Sequence, residues 1–177
     1  MMGQDKKVQT LFDEQQIAGR VRELADEIKA GMPRDFVVVG LMVGSFVFVA
    51  DLVRELSRLG CRPAVEMIRM SSYGLGRESS RDVHLMSEFG MDLTGRDVLI
   101  IDDIVDTGHT LTFATDFIAR SGAASVKSCA LLDKPARREV DFIPDFVGFE
   151  IPDRFVVGYG IDFGLNYRHL PFIGTIG

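Results

Sequence analysis

The chain has 177 residues, 46% of them hydrophobic and 26% charged, and a net charge of −6. That composition gives one globular domain with a substantial core and too little chain for two ordinary domains, and the negative balance argues against a broad nucleic-acid footprint. No apolar run is long enough to cross a bilayer, residues 1–7 lack the apolar core of a secretory signal, and Cys61 and Cys129 fall in segments read as structural, so a cytoplasmic protein with reduced, inert thiols is expected.

The first element follows Asp13, an N-cap that Gln16 completes as a capping box. Ile17, Val21, Leu24 and Ile28 then recur at helical spacing until Gly31 and Pro33 end the helix. Residues 36–43 form a strand-like apolar run that leads through Gly44-Ser45 into a second helix over 46–59, closed by Gly60. A strand over 64–70 runs into the small, polar, glycine-bearing stretch 71–81, which reads as a mobile loop. A short strand at 83–86, the central strand, a helix over 110–121 and a strand near 126–132 follow. Arg137-Arg138 reads as a solvated turn, and the tail carries short strands at 146–149 and 156–159. Strands alternating with helices predict a right-handed, mostly parallel α/β sheet, whose ligands bind beyond the carboxyl ends of the strands. The glycine-bearing turns at Gly44 and Gly108 both lie at that edge.

The segment 98–111 carries the clearest chemistry. Val98-Leu99-Ile100-Ile101 fits a strand buried on both faces, and the chain then turns acidic at Asp102 and Asp103. Adjacent carboxylates repel unless sugar hydroxyls, a cation or a basic group compensates them. Asp106-Thr107-Gly108-His109-Thr110 can turn so that backbone N–H groups converge beside two hydroxyls and a helix N-terminus, a cradle for a monophosphate. The residues alone thus point to a sugar phosphate. His84, His109 and His169 share no metal-ligand spacing, so no zinc site is expected.

The chain resembles the purine phosphoribosyltransferases, specifically the bacterial-type hypoxanthine-guanine phosphoribosyltransferases. The resemblance rests on Gly40 to Phe46, Ser72-Tyr73-Gly74, Val98 to Leu111, Leu131-Leu132-Asp133-Lys134-Pro135 and Pro144 to Tyr159. It implies a type I phosphoribosyltransferase fold with a small hood formed largely by the C-terminal segment. It also implies transfer of 5-phosphoribosyl from phosphoribosyl pyrophosphate to N9 of hypoxanthine or guanine, giving IMP or GMP and pyrophosphate with Mg²⁺. By the same resemblance Asp106 is the general base near N7, and Thr107, Gly108, His109 and Thr110 form the 5′-phosphate loop. Asp102 and Asp103 hold the ribose hydroxyls, and Asp102 and Asp162 lie at the metal. Lys134, Phe155, Val156 and Asp162 form the purine site, with the lysine donating to the exocyclic O6 that adenine lacks. Val43, Gly44 and Arg168 bind pyrophosphate, in a loop where the family often holds a cis peptide; relatives commonly carry Lys or Arg where this chain has Val43, which leaves that contact to backbone amides. Ser72 and Tyr73 match a lid. Relatives are dimers or tetramers, so a homodimer or homotetramer is expected, without nucleic-acid or membrane partners. A nucleotide-sensing regulatory protein of the same fold, or an enzyme preferring xanthine, are the alternatives.

Overall fold

A computed structural model describes residues 8–73, 82–85 and 90–176. The central strands are β2 (Val37–Met42), β3 (Ala64–Tyr73), β5 (Asp97–Val105), β6 (Ser125–Asp133) and β7 (Phe146–Glu150), with β4 (Asp82–Leu85) at one edge. They form one six-stranded sheet in the order β4-β3-β2-β5-β6-β7, parallel throughout except for the antiparallel β3–β4 pair. The chain belongs to the α/β class expected from its alternating pattern.

Alternation along each strand divides the core in two. Val38, Leu99, Ile101, Cys129 and Leu131 face one cluster with Ile17, Leu24 and Ile28 of α1 (Glu14–Gly31) and Phe48, Leu52 and Leu56 of α2 (Phe46–Arg58). Val37, Val39, Val98, Ile100 and Ala130 face the other, with Leu111, Ala114 and Ile118 of α3 (His109–Arg120). The Asp13 capping box at α1 is formed as its spacing predicts, with both hydrogen bonds in place. Side chains on both faces of β2 and of the apolar part of β5 are buried, which is why these two strands read as continuous apolar runs rather than alternating ones.

A second, three-stranded antiparallel sheet makes the hood: β1 (Val8–Phe12), β9 (Ile173–Ile176) and β8 (Val156–Val157), in the order β1-β9-β8. Its N-terminal strand, and β9 at the other end of the chain, were not visible in the hydrophobic pattern. Stacking of Phe12 on Phe149, with ring centroids 4.0 Å apart, ties β1 to β7 of the main sheet. The tail strand expected over 156–159 stops at Val157 because Gly158, Tyr159 and Gly160 all take positive φ, at 98°, 50° and 98°, and turn the chain away. The strand expected over 64–70 instead continues to Tyr73, so Ser72 and Tyr73 lie on backbone paired with β4. Residues 74–81, the rest of the expected loop, and Met86 lie outside the described residues.

Candidate active site

Parallel pairing brings the carboxyl ends of β2, β5 and β6 to one edge of the sheet, and the turns that follow them build the site. β5 runs four residues past its apolar core, so Asp102 and Asp103 stand on the strand itself rather than on a turn. Asp102 is 8% exposed, and its Oδ1 accepts the Asp103 N–H at 2.9 Å. Asp103 Oδ1 accepts the Ile104 N–H at 3.0 Å. Burial, reinforced by the neighbouring Asp103 charge, pushes the Asp102 carboxyl well above the usual carboxylate range. Burial also raises Asp103, and hydrogen bonds together with the Arg168 charge offset part of that rise. Two crowded, desolvated carboxylates of this kind call for a compensating cation or hydroxyl donors. Among the described residues no three His, Cys, Asp or Glu side chains converge into a metal cluster.

Beyond β5, Asp106, Thr107, Gly108, Thr110 and Leu111 line a cavity of about 280 Å³ together with Asp102 and Asp103. Gly108 is the N-cap of α3, at φ 92°, a conformation open to glycine at little cost. No side chain caps this helix, so its first-turn amides stay available for an anion. Asp106, which could have served as the cap, does not. Instead its backbone and side chain are gripped by the segment after β6. Lys134 N–H donates to Val105 O at 2.9 Å, Glu139 N–H donates to Thr107 O at 3.0 Å, and Arg138 Nη1 donates to Asp106 O at 2.9 Å. Arg137 Nε lies 2.7 Å from Asp106 Oδ1. The expected solvated turn holds for Arg137, half-exposed in a 3₁₀ turn over Pro135–Arg137, and not for Arg138, which is largely buried and also pairs with Asp133. His109 turns to Glu139, with Nε2 3.1 Å from Oε2.

The turn after β2 closes the other side. The Met42–Val43 peptide is cis, and the Ser45 hydroxyl donates to Leu41 O at 2.5 Å. Gly44 packs directly on Asp103: a methyl there would lie 2.6 Å from the Asp103 Cγ and closer still to Oδ2. Gly160 in turn sits against Gly44 O. Arg168 Nη1 donates to Gly160 O at 2.6 Å, and its Nη2 lies 2.8 Å from Asp162 Oδ1. Asp162 Oδ2 accepts the Leu165 N–H at 2.9 Å. Tyr159, between the two glycines, donates its hydroxyl to Asp51 of α2 at 2.6 Å; burial and that carboxylate push its phenol upward. Neither this link nor the grip by Arg137, Arg138 and Glu139 was legible in the residue pattern.

Of the residues expected at the purine, Lys134 directly follows β6 and has only 6% of its surface exposed. The carboxylate of its neighbour Asp133 is taken by Arg138. By itself Phe155 would be read as a core ring, yet it is 55% exposed and meets Phe163 edge-on at 5.3 Å. Val156 is buried in β8. Ser72 and Tyr73, expected at a lid, are described only in their backbone.

Residues 7–164 match the model of the phosphoribosyl transferase domain. The chain is 45% identical over 168 residues to a hypoxanthine-guanine phosphoribosyltransferase of Aquifex aeolicus, covering 94% of this chain and 93% of the relative. It is 43% identical over 172 residues to the hypoxanthine phosphoribosyltransferase of Escherichia coli, covering 96% and 95%. A crystal structure of a hypoxanthine-guanine phosphoribosyltransferase from Bacillus anthracis, with a HEPES molecule in its active site, superposes with a TM-score of 0.90 at 40% identity, over 98% of this chain and 100% of that one.

Proposed function

The chain belongs to the hypoxanthine-guanine phosphoribosyltransferases, and from that premise we propose how its residues divide the work of a purine salvage enzyme. The reaction joins N9 of a 6-oxopurine to C1′ of phosphoribosyl pyrophosphate as pyrophosphate leaves, giving IMP or GMP. The single observation that carries the assignment of roles is the cavity at the end of β5, where a buried acid pair, a fourth-residue acid and an uncapped helix N-terminus share one wall.

In this reading the amides of Thr107 to Thr110 and the two threonine hydroxyls bind the 5′-phosphate, with His109 beside them. Asp102 and Asp103 take the ribose hydroxyls. Their desolvated carboxylates, with Asp162 further along the tail, fit a Mg²⁺ ion, which when bound offsets the charge of the departing pyrophosphate. Gly44 lets the backbone approach Asp103 and, with Val43 and Arg168, receives the pyrophosphate. As C1′ becomes cation-like, N9 supplies the electron pair of the new bond, the C1′–O bond breaks toward pyrophosphate, and Asp106 removes the N7 proton. Lys134 donates to O6, the ring of Phe155 covers the purine face, and the Val156 backbone meets its edge. Ser72 and Tyr73 begin a lid that excludes water from the reacting centre.

The protein acts as one cytoplasmic domain assembled into a homodimer or homotetramer. An exposed apolar strip of Phe46, Val65 and Met67 supports assembly, and no helix among the described residues is long and apolar enough to cross a membrane. The test of the roles is Asp106→Asn. Wild-type protein with Mg²⁺, phosphoribosyl pyrophosphate and hypoxanthine should form IMP, and the variant should turn over ~10²–10⁴-fold more slowly while binding phosphoribosyl pyrophosphate equally well. No IMP from hypoxanthine and no GMP from guanine with the wild type overturns the activity; an undiminished rate in the variant overturns the role of Asp106.

A further inference from the structure

Three contacts hold the chain at Asp106, and only one of them reaches its carboxylate. Arg138 and Glu139 bind the backbone at Asp106 O and Thr107 O, which fixes the Cα but leaves the side chain free to turn. Among the described residues it is Arg137 that touches the carboxylate, with Nε 2.7 Å from Oδ1, close enough for an ion pair although its N–H is not aimed along a hydrogen-bond direction. The far side of the same guanidinium reaches Asp153, with Nη1 3.5 Å from Oδ1, on the turn that leads into Phe155.

The two oxygens of Asp106 are not equivalent. Oδ1, beneath Arg137, is buried, while the side chain as a whole remains 40% exposed. The accessible oxygen is therefore Oδ2. We propose that Arg137 is a positioning residue that pins Oδ1 of Asp106, so that Oδ2 is the atom presented to the purine, and that through Asp153 it ties the base to the loop bearing Phe155. The inference rests on the reading of Asp106 as the base and adds which of its atoms acts and what aims it. The step balances: the N7–H bond breaks, an O–H bond forms at Oδ2, the N7–H electron pair stays in the ring as N9 bonds to C1′, and the proton passes to solvent after the nucleotide leaves.

An aspartate without such a partner distributes itself over staggered wells. It is also drawn toward uncapped amides at a helix N-terminus, and those of α3 begin three residues on. Loss of Arg137 should therefore leave the base correctly aimed in a minority of molecules.

Five proteins test this: wild type, R137A, R137K, and the pair D106N and D106N/R137A compared with each other. R137A should fold normally and keep the wild-type KM for phosphoribosyl pyrophosphate while kcat falls about 3–10-fold, a range set by three accessible wells and further loss to the helix amides. R137K, which restores the charge without the fork, should recover part of that loss. In the D106N background the same substitution should change kcat by less than about twofold, because no base remains to be aimed. An undiminished kcat in R137A, or an equal loss in the D106N background, overturns the inference while leaving Asp106 as the base. An undiminished kcat in D106N overturns that underlying reading and the inference with it.

Discussion

The contact between Gly44 and Asp103 gives the account its most exacting test. Adding one methyl, as Gly44→Ala, places a Cβ 2.6 Å from the Asp103 Cγ, whereas ordinary van der Waals contact begins near 3.4 Å. Carboxylate and loop must separate by at least about 0.8 Å. Asp103 has little room to yield, because its Oδ1 already accepts the Ile104 N–H and its backbone is part of β5. The loop is held on its other side by the Ser45 hydroxyl on Leu41 O and by Gly160 against Gly44 O. Overpacking of this kind costs ~1–3 kcal/mol, and a displacement near 1 Å within a catalytic constellation can cost ~10²-fold. We therefore expect kcat/KM for phosphoribosyl pyrophosphate to fall about 10–100-fold, with Tm lowered by several degrees. Gly19→Ala is the matched control. It lies inside α1, where a methyl meets nothing nearer than Arg22 Nη2 at 4.0 Å, so the helix should gain about 0.5–1 kcal/mol and kinetics should not change. Steady-state kinetics with phosphoribosyl pyrophosphate as the varied substrate, alongside thermal melts, distinguish the two. Wild-type kcat/KM in Gly44→Ala would refute the claim that this glycine exists to admit Asp103.

Asp102→Asn should raise the Tm of the ligand-free protein at pH 7. The folded carboxyl sits well above its ordinary range, so the folded state binds the proton more tightly than the unfolded chain. The stability this brings is complete below the unfolded pKa, roughly 3.9, and is lost as pH rises through the folded value. The neutral asparagine escapes that loss, so its advantage should disappear in melts near pH 4; an advantage that persists there contradicts the burial argument. Lys134→Ala should raise the KM for hypoxanthine about tenfold or more while the KM for phosphoribosyl pyrophosphate stays the same, since a hydrogen bond from a charged donor is worth ~1.5–3 kcal/mol; an unaltered purine KM removes the lysine from base recognition.

The elements whose stability is local were legible from residue types. Asp13 and Gln16 announced the start of α1, Gly31 its end, and the run 98–101 the doubly covered strand. The turn read as a phosphate cradle was legible as local structure for the same reason, because a strand, a glycine turn and a helix start follow one another within a dozen residues. The hood was expected from the resemblance and its strand β8 from the residues, but β1 and β9 were not legible, since they are short and pair with each other from opposite ends of the chain. The strand was not read past Ile101 because acidic residues ordinarily leave a strand, and here parallel pairing with β6 through Asp102, Ile104 and Val105 keeps them in it. Arg137-Arg138 looked like solvent-facing charge because its partners, Asp106 and Asp133, are brought to it by β5 and β6 pairing in register. Phe155 is the reverse case, an apolar ring that composition assigns to the core and that the structure leaves exposed beside Phe163.

The most direct measurement offers the purified protein five bases, hypoxanthine, guanine, xanthine, adenine and uracil, each with Mg²⁺ and phosphoribosyl pyrophosphate, and reads nucleotide and pyrophosphate formed. The account predicts IMP from hypoxanthine or GMP from guanine with stoichiometric pyrophosphate, and no product from adenine or uracil, which lack the 6-oxopurine edge. Nucleotide formed from neither hypoxanthine nor guanine, or formed equally well from adenine, would contradict it.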